Sequence, residues 1–210
     1  MESDEHADLM IELSPANADA ILDSMDPDEA EGVKKLIKYD SDTAGGLMIT
    51  EYLTFSETHT VGDVAQNMRD NAEKYEGYNV QYIYVHSKNK FAGVLQMKDL
   101  LLSKVNTKLS EIVIRNAFTV SDSAKIDELI SFFDNHDFYG VPVLNVHQQM
   151  VGVVLRKDIL ETKNELVNSD LLLTQGIVGG EELRTMPVLL RSRRRLSWLS
   201  VNILLNIVAA

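Results

Sequence analysis

Acidic side chains are the residues of this chain best suited to chemistry, and their type points to a cation. The 210 residues include 32 Asp and Glu against 20 Lys and Arg, which gives a formal net charge of −12 at pH 7. Carboxylates are hard oxygen ligands, and Mg²⁺ keeps several waters while it takes one or two carboxylates per site. The same negative charge disfavours nucleic acid, because phosphates are repelled. We therefore expect cations or basic partners.

Several of these acids are spaced so that they share a helix face or border one. Asp4 and Asp8 are four residues apart, and carboxylates at that spacing repel each other unless a cation lies between them. A second group lies within the stretch "DELISFFDNHDF", and a third begins where the second half of an internal duplication ends. The candidate metal ligands are Asp4, Asp8, Asp127, Asp134, Asp137, Asp158, Glu161 and Asp170. The alternative for each is a solvated surface acid, or a helix N-cap for Asp158.

Catalytic patterns are absent from the sequence. There is no Cys, which excludes disulfides, thiolate metal sites and Cys nucleophiles. The five His residues are scattered without an HExxH pair, and no GxSxG, Walker or GxGxxG pattern is present. We predict that the protein is not an enzyme.

The N-terminal fifth of the chain carries most of the negative charge and reads as helical. Residues 1–46 contain 13 acids and 3 bases. Apolar residues recur at helical spacing, and two prolines each follow a capping residue, which predicts short helices at 4–13, 15–24 and 27–38. Because so few residues form a poor independent core, we expect the apolar faces of these helices to dock either on helices upstream or on the next domain. Gly45-Gly46 is expected to be a flexible turn.

The middle of the chain is a duplication. Shifting "IYVHSKNKFAGVLQMKDLL" by 59 positions lays it on "PVLNVHQQMVGVVLRKDIL" without a gap, and the preceding stretches match once about six extra residues near position 75 are allowed. Each copy predicts an extended lead, helix, strand, turn, strand and helix, with strands at 82–85, 93–95, 141–144 and 151–155. Because each unit is small, the two should pair across their sheets. The predicted fold class is α+β.

These copies resemble a tandem pair of cystathionine-β-synthase (CBS) domains. With "DTAGGLMITEYLTF" before the pair and "RRRLSWLSVNILLNIVAA" after it, the whole chain resembles the cytosolic region of the MgtE-type magnesium channel and transporter family. The resemblance implies a partial N-terminal helical domain at 1–46, CBS domains at 47–106 and 107–163, and a connecting plug helix and loop at 159–182. Residues 183–210 would form a basic segment and a truncated first transmembrane helix.

What the resemblance implies for function is a magnesium-sensing gate. In this family Mg²⁺ bound between the helical domain, the CBS pair and the plug helix closes the pore when cytosolic magnesium is high. By position, Asp4, Asp8, Asp127, Asp137 and Asp158 resemble the inter-domain ligands, and Asp134 falls where a backbone carbonyl can contribute. The plug here is poor in acids, and only Glu161 and Asp170 remain as candidate ligands. The expected partners are a second copy, joined through the CBS domains, and the chain's own transmembrane domain.

An adenine nucleotide such as ATP is the rival ligand, since CBS pairs often bind one. The nucleotide pattern G-h-h-[ST]-x-x-D supplies a hydroxyl to the phosphates and an Asp to the ribose. This chain has Asp99 and Asp158 at the ribose positions but Gln96 and Leu155 at the hydroxyl positions. The rival function is a CBS module that controls a different membrane protein or an enzyme.

The last twenty residues, "RSRRRLSWLSVNILLNIVAA", predict contact with a membrane. About 20 apolar residues are needed to span a bilayer, and only 15 residues of any kind, all uncharged, follow the arginines. A truncated transmembrane helix, an amphipathic docking helix and a core helix are the alternatives, of which we favour the first. Trp198 beside an Arg cluster is typical of the cytoplasmic boundary of a membrane helix, which would place residues 1–195 in the cytoplasm at the cell membrane.

Overall fold

The computed structural model describes residues 3–13, 15–78 and 80–164 of the chain. The chain divides into two compact units, Met1–Ile159 and Leu160–Ala210. The predicted plug helix beyond residue 164, the basic segment and the apolar tail lie outside the described residues, as does the predicted ligand Asp170.

Three short helices form the N-terminal part: α1 (Ser3–Glu12), α2 (Pro15–Leu22) and α3 (Pro27–Leu36). Their positions agree with the predicted helices to within two residues. Proline suits the first position of α2 and α3, because its fixed φ is helical and the N–H that it lacks would have no partner within the helix. At the start of α3 the N–H of Ala30 donates to the Asp26 carbonyl at 2.9 Å.

The first repeat contains β1 (Leu53–Ser56), α4 (Val61–Asp70), α5 (Ala72–Tyr75), β2 (Tyr82–Ser87), β3 (Lys90–Gln96) and α6 (Met97–Leu102). Strand β2 is central, parallel to β1 and antiparallel to β3. The β2–β3 turn places Lys88 and Asn89 at positive φ, as tight hairpin turns require. The extra residues of this copy fold as α5.

The second repeat follows a short helix, α7 (Leu109–Ile112), and has the same strand order. It contains β4 (Val120–Ser121), α8 (Ile126–Asn135), β5 (Gly140–Leu144) and β6 (Met150–Leu155). A further helix, α9, begins at residue 156 and covers the remaining described residues. All four predicted strands are therefore observed, and the predicted α+β fold class is confirmed.

The segment that precedes each repeat forms backbone hydrogen bonds with the other repeat. Ile49, which precedes the first repeat, exchanges backbone hydrogen bonds of 2.8 and 3.0 Å with Val153 of β6. Ile114, which precedes the second repeat, exchanges bonds of 2.9 and 3.1 Å with Val94 of β3. Gly93 has φ of 152° and lies so close to the Ile114 carbonyl that a Cβ would collide with it. The two repeats are consequently joined at both ends of their shared interface.

The N-terminal helices pack on the second repeat and not on a core of their own. One buried cluster contains Met10 of α1, Val33 of α3, Phe133 of α8, Val154 of β6 and Ile159 of α9. The first repeat has a separate cluster built on one face of β2, through Ile83 and Val85, and on α4. The expected docking of the helical segment is thus observed, on the second repeat.

Gly45 and Gly46 were expected to form a flexible turn, and the structure corrects this. The N–H of Gly45 donates to the Asp122 carbonyl at 2.8 Å, and the preceding Ala44 N–H donates to Ala124 at 2.8 Å. A Cβ on Gly45 would overlap the Tyr39 ring. Glycine is needed there because the chain passes close to an aromatic ring, so the turn is firmly held against the second repeat.

Candidate functional site

Asp4 and Asp158 each have a carboxylate oxygen that is buried from solvent. Asp4 lies in the first turn of α1, and its Oδ1 is buried, as is Oδ2 of Asp158. Asp158 is the third residue of α9 and therefore is not the N-cap of that helix. Lys157 Nζ lies 3.7 Å from Asp158 Oδ1. The two helices pack into the same core cluster through Ala7 and Ile159. Carboxylate oxygens are the ligands that a hard cation takes, so these two half-buried side chains are of the right type to bind one.

The acids on and after α8 are exposed. Asp127 lies in the first turn of α8 and Asp134 lies near its end, and both side chains face solvent. Asp137 follows the helix, and its side chain is fully exposed. Seven residues separate Asp127 from Asp134, or about two turns. They occupy one side of α8, whose buried residues Leu129 and Phe133 face the core.

Arg156 contacts Asp137, which the sequence reasoning did not anticipate. Its Nη1 lies 3.2 Å from Asp137 Oδ1 and donates a 2.7 Å hydrogen bond to the His136 carbonyl. Arg156 and Lys157 thus place two consecutive positive side chains next to two predicted metal ligands. The sequence did show one sign of this contact. The second repeat has two consecutive basic residues, Arg156-Lys157, where the first repeat has Met97-Lys98.

The predicted ligands are distributed over several elements. Within residues 3–13, 15–78 and 80–164, no three Asp, Glu or His residues converge closely enough to hold a metal ion. The side chain of Asp8 is not among those described, although its backbone lies in α1, and Glu161 is exposed on α9. The acids present therefore suit sites that use one or two carboxylates and water.

A cleft of about 150 Å³ opens between the two repeats. Its walls come from β2, β3, the start of β5 and the segment that leads into β4. Residues that line it include Tyr82, Gln96, Asn116, Phe118, Phe132 and Phe138. Asp99 is the third residue of α6, which begins directly after Gln96. The predicted nucleotide residue of the first repeat therefore belongs to an element that starts at the cleft.

Aromatic rings dominate one side of this cleft. His136 stacks on Phe132 with ring centroids 4.6 Å apart and on Phe138 at 5.8 Å, and Phe118 lies 4.5 Å from His136. The deeper wall includes Tyr84, whose pKa is raised by burial, so its phenol is neutral at physiological pH. Flat apolar surfaces of this kind favour a planar ligand. The sequence did not reveal the cluster, because its members come from α8, the lead of β4 and the loop before β5.

The corresponding surface of the second repeat is covered. The segment before β1 is equivalent to the segment before β4, and α1 contacts it. Ser3 Oγ donates to Glu51 Oε2 at 2.8 Å, and the Thr50 N–H donates to Ser3 Oγ at 3.0 Å. Leu155 stands where the first repeat has Gln96. The N-terminal helices therefore occupy the region beside Asp158 that the cleft occupies in the first repeat.

Family models match nearly all of the described chain. The CBS domain model matches residues 44–105 and 109–165, more than half of the sequence. The chain belongs to the CBS domain family. The model of the MgtE intracellular N domain matches residues 1–42. The predicted resemblance to the cytosolic region of the MgtE-type family is thereby confirmed, and the relatives below agree with it.

Two magnesium transporters and one solved structure illustrate the similarity. Magnesium transporter MgtE of Bacillus subtilis is 24% identical over 210 residues, which is 100% of this chain and 46% of the transporter. Magnesium transporter MgtE of Thermus thermophilus is 30% identical over 158 residues, 75% of this chain and 35% of the transporter. The crystal structure of the cytosolic domain of the Mg²⁺ channel MgtE in complex with ATP superimposes with a TM-score of 0.70 at 29% identity, and the match covers 77% of this chain and 66% of that one.

This CBS protein spans less than half the length of either transporter. Both relatives are transporters and not enzymes. Among the residues that the structure describes, no helix has the length and apolar character needed to cross a bilayer.

Proposed function

We propose that this chain is the cytosolic Mg²⁺-sensing gate of a magnesium channel or transporter. The observation that carries the proposal is the similarity to Magnesium transporter MgtE along all 210 residues. The packing of the acidic N-terminal helices on the second repeat and the buried oxygens of Asp4 and Asp158 support it. The function is negative feedback, in which carboxylates between domains bind Mg²⁺ and the pore closes.

The physical basis of the gate is repulsion among carboxylates. Residues 1–46 carry 13 acids and 3 bases and pack against a repeat that presents Asp127, Asp134 and Asp158. Bringing like charges together raises the free energy of the packed state unless cations lie between them. At low Mg²⁺ the N-terminal helices would separate from the second repeat, and at high Mg²⁺ they would remain docked.

The proposed assembly extends beyond the described residues. It is a homodimer through the CBS domains, with the chain's own transmembrane domain and the membrane at the C-terminal end. Residues 1–195 would lie on the cytoplasmic side, because the arginines before Trp198 follow the positive-inside pattern.

The test is thermal unfolding with and without Mg²⁺. A ligand that binds only the folded protein adds about 1.4 kcal/mol at ten times its dissociation constant, so millimolar Mg²⁺ should raise the melting temperature. NaCl at equal ionic strength should raise it less. The variant Asp4→Asn/Asp8→Asn/Asp158→Asn should lose the response to Mg²⁺.

The control replaces three exposed acids of the first repeat and of α7, as Asp70→Asn/Glu76→Gln/Glu111→Gln, which changes the net charge equally. This control should respond to Mg²⁺ as the wild type does. A wild type that ignores Mg²⁺ would contradict the proposed function. A full response in the triple Asn variant would contradict only the assignment of the ligands.

Adenine nucleotide binding in the cleft between the repeats is a second candidate function. A similar MgtE cytosolic structure contains ATP, and the aromatic wall formed by Phe118, Phe132 and Phe138 favours it. Gln96 and Leu155 weigh against it, because neither supplies the hydroxyl of the usual pattern. In this alternative the CBS pair controls its partner protein through a nucleotide.

Isothermal titration with ATP and with AMP tests this candidate. A carboxylate hydrogen bond to ribose contributes enough that Asp99→Asn should weaken binding about tenfold. Asp158→Asn, at the equivalent position of the covered second repeat, should leave the affinity unchanged. Equal losses in both variants would contradict a cleft that uses the first repeat alone.

A further inference from the structure

We infer that Arg156 is a tethered cation that takes the place of Mg²⁺ at Asp137. The inference rests on the proposed function, since it concerns which of the predicted carboxylates remain available to Mg²⁺. Under this inference Asp137, unlike the other predicted ligands, is paired with an arginine and does not bind Mg²⁺. Arg156 then helps to set the Mg²⁺ concentration at which the protein responds.

The geometry around the guanidinium group supports the inference. Nη1 of Arg156 lies 3.2 Å from Asp137 Oδ1 and 2.7 Å from the His136 carbonyl oxygen. The backbone N–H of the same arginine donates to the Tyr139 carbonyl at 2.8 Å. Three contacts, to His136, Asp137 and Tyr139, hold Arg156 next to the loop that carries Asp137.

The oxygen atoms that Arg156 contacts are of the kind that a hard cation uses. Mg²⁺ and Ca²⁺ take carboxylate and backbone carbonyl oxygens, and Nη1 is bonded to one of each. The Asp137 side chain is otherwise fully exposed to solvent, so an ion would have free access to it. A positive group already lies within 3.2 Å of the carboxylate, and a divalent ion there would be repelled by it.

Arginine suits this role because its charge is permanent. The guanidinium group is not deprotonated in proteins, so its positive charge stays beside Asp137 at every physiological pH. An exposed pair of this kind contributes little to folding stability. The effect of Arg156 is to compete with Mg²⁺ for the Asp137 carboxylate. A gate with this arginine would bind fewer Mg²⁺ ions, or close at a higher Mg²⁺ concentration, than a gate in which Asp137 has no cationic neighbour.

The duplication supplies the matched comparison. The 59-residue shift that aligns the repeats places Met97 at the position of Arg156 and Lys98 at the position of Lys157. The cation is therefore specific to the second repeat, the one on which the N-terminal helices dock. Arg156→Met installs the residue that the first repeat already accepts at the start of its own helix, α6, so the change is compatible with the fold.

The experiment compares Mg²⁺ titrations of the full chain and four variants by calorimetry. Arg156→Met should lower the half-saturating Mg²⁺ concentration about fivefold, the effect of freeing one carboxylate from a neighbouring charge. Lys98→Gln removes one positive charge at an exposed position of the first repeat and should change it less than about twofold. Asp137→Asn alone should change little, and Arg156→Met/Asp137→Asn should return to the wild-type value.

Mn²⁺ gives a readout that locates the ion. As a paramagnetic substitute for Mg²⁺, it broadens amide NMR signals of residues near its site. At the same substoichiometric Mn²⁺ concentration, the signals of residues 136–139 should broaden more in Arg156→Met than in the wild type. Arg156→Gln serves as a second variant and should behave in the same way.

The outcomes separate this inference from the proposed function. If the wild type binds Mg²⁺ and Arg156→Met binds it with the same affinity, or if the gain survives Asp137→Asn, the inference is wrong and the proposed function stands. If the wild type does not bind Mg²⁺ but Arg156→Met does, the inference holds and the proposed function is wrong. If neither protein binds Mg²⁺, both are wrong.

Discussion

The two repeats share one strand order but differ in what covers them. The first repeat closes its own core around β2 and leaves a cleft beside Gln96. The second repeat shares its core with α1 and α3, and the region equivalent to the cleft lies under the N-terminal helices. Duplicated units of one architecture have thus taken separate tasks, one presenting a cleft and the other a docking surface. The repeats also differ at single equivalent positions, such as Met97 in the first and Arg156 in the second.

The largest effect should come from the core that the second repeat shares with the N-terminal helices. Phe133 is 1% exposed, whereas Met68, its equivalent in α4, is only partly buried. Phe133→Ala should lower the free energy of unfolding by about 3–5 kcal/mol through the cavity that it leaves. Met68→Ala should lower it by about 1–2 kcal/mol, because less apolar area is lost. Urea denaturation measures both, and equal losses would contradict the difference in core burial.

A smaller effect is expected at the start of the equivalent helices α4 and α8. Thr60 caps α4, accepting a 3.2 Å bond from the Asp63 N–H while Asp63 accepts from the Thr60 N–H at 2.7 Å. Lys125, its counterpart, makes no side-chain cap and pairs with Asp42 at 2.9 Å. Thr60→Ala should cost about 1 kcal/mol.

Lys125→Thr would create a Thr-x-x-Glu capping box with Glu128 and remove the pair with Asp42. A gained cap and a lost exposed ion pair nearly cancel, so the net change should stay within about 0.5 kcal/mol. Thermal unfolding of the two variants would test this, and a large loss from Lys125→Thr would show that the contact with Asp42 holds the linker in place.

The smallest effect concerns acid sensitivity. A hydrogen bond from Ser87, and then Arg115, lowers the pKa of Glu57, and the backbone N–H of Thr60 lowers that of Asp63. A lowered folded-state pKa adds stability above the unfolded-state value, near pH 4, and that stability is lost as pH falls through the folded-state pKa. Stability should therefore fall on acidification below about pH 4.5 less steeply in Glu57→Gln/Asp63→Asn than in the wild type. Denaturant midpoints across pH 3–6 measure the slopes, and equal slopes would contradict these shifts.

The sequence predicted the elements better than the contacts between them. Hydrophobic periodicity and the prolines located α1 to α3, and the 59-residue shift located both sheets, because these signals are local or repeated. The contact of Arg156 with Asp137 spans 19 residues and depends on how α8 leads into β5. The tight packing of Gly45 on Tyr39 likewise depends on where the linker meets the second repeat. The positions of the acidic residues could be read from the sequence, but the basic residue or backbone group that each acid contacts could not.

The exchange of lead segments makes the repeats interdependent. Ile49 pairs with Val153 of the second repeat, and Ile114 pairs with Val94 of the first. Either repeat expressed without the lead segment of the other would lose these backbone hydrogen bonds. A cut in the connection between the repeats, near residue 105, would leave two fragments. The first would carry Ile49, which pairs with Val153 of the second, and the second would carry Ile114, which pairs with Val94 of the first. The pair is therefore one folding unit despite its two copies, and a displacement of the segment that leads out of the N-terminal helices is transmitted directly to β6 and to the start of α9.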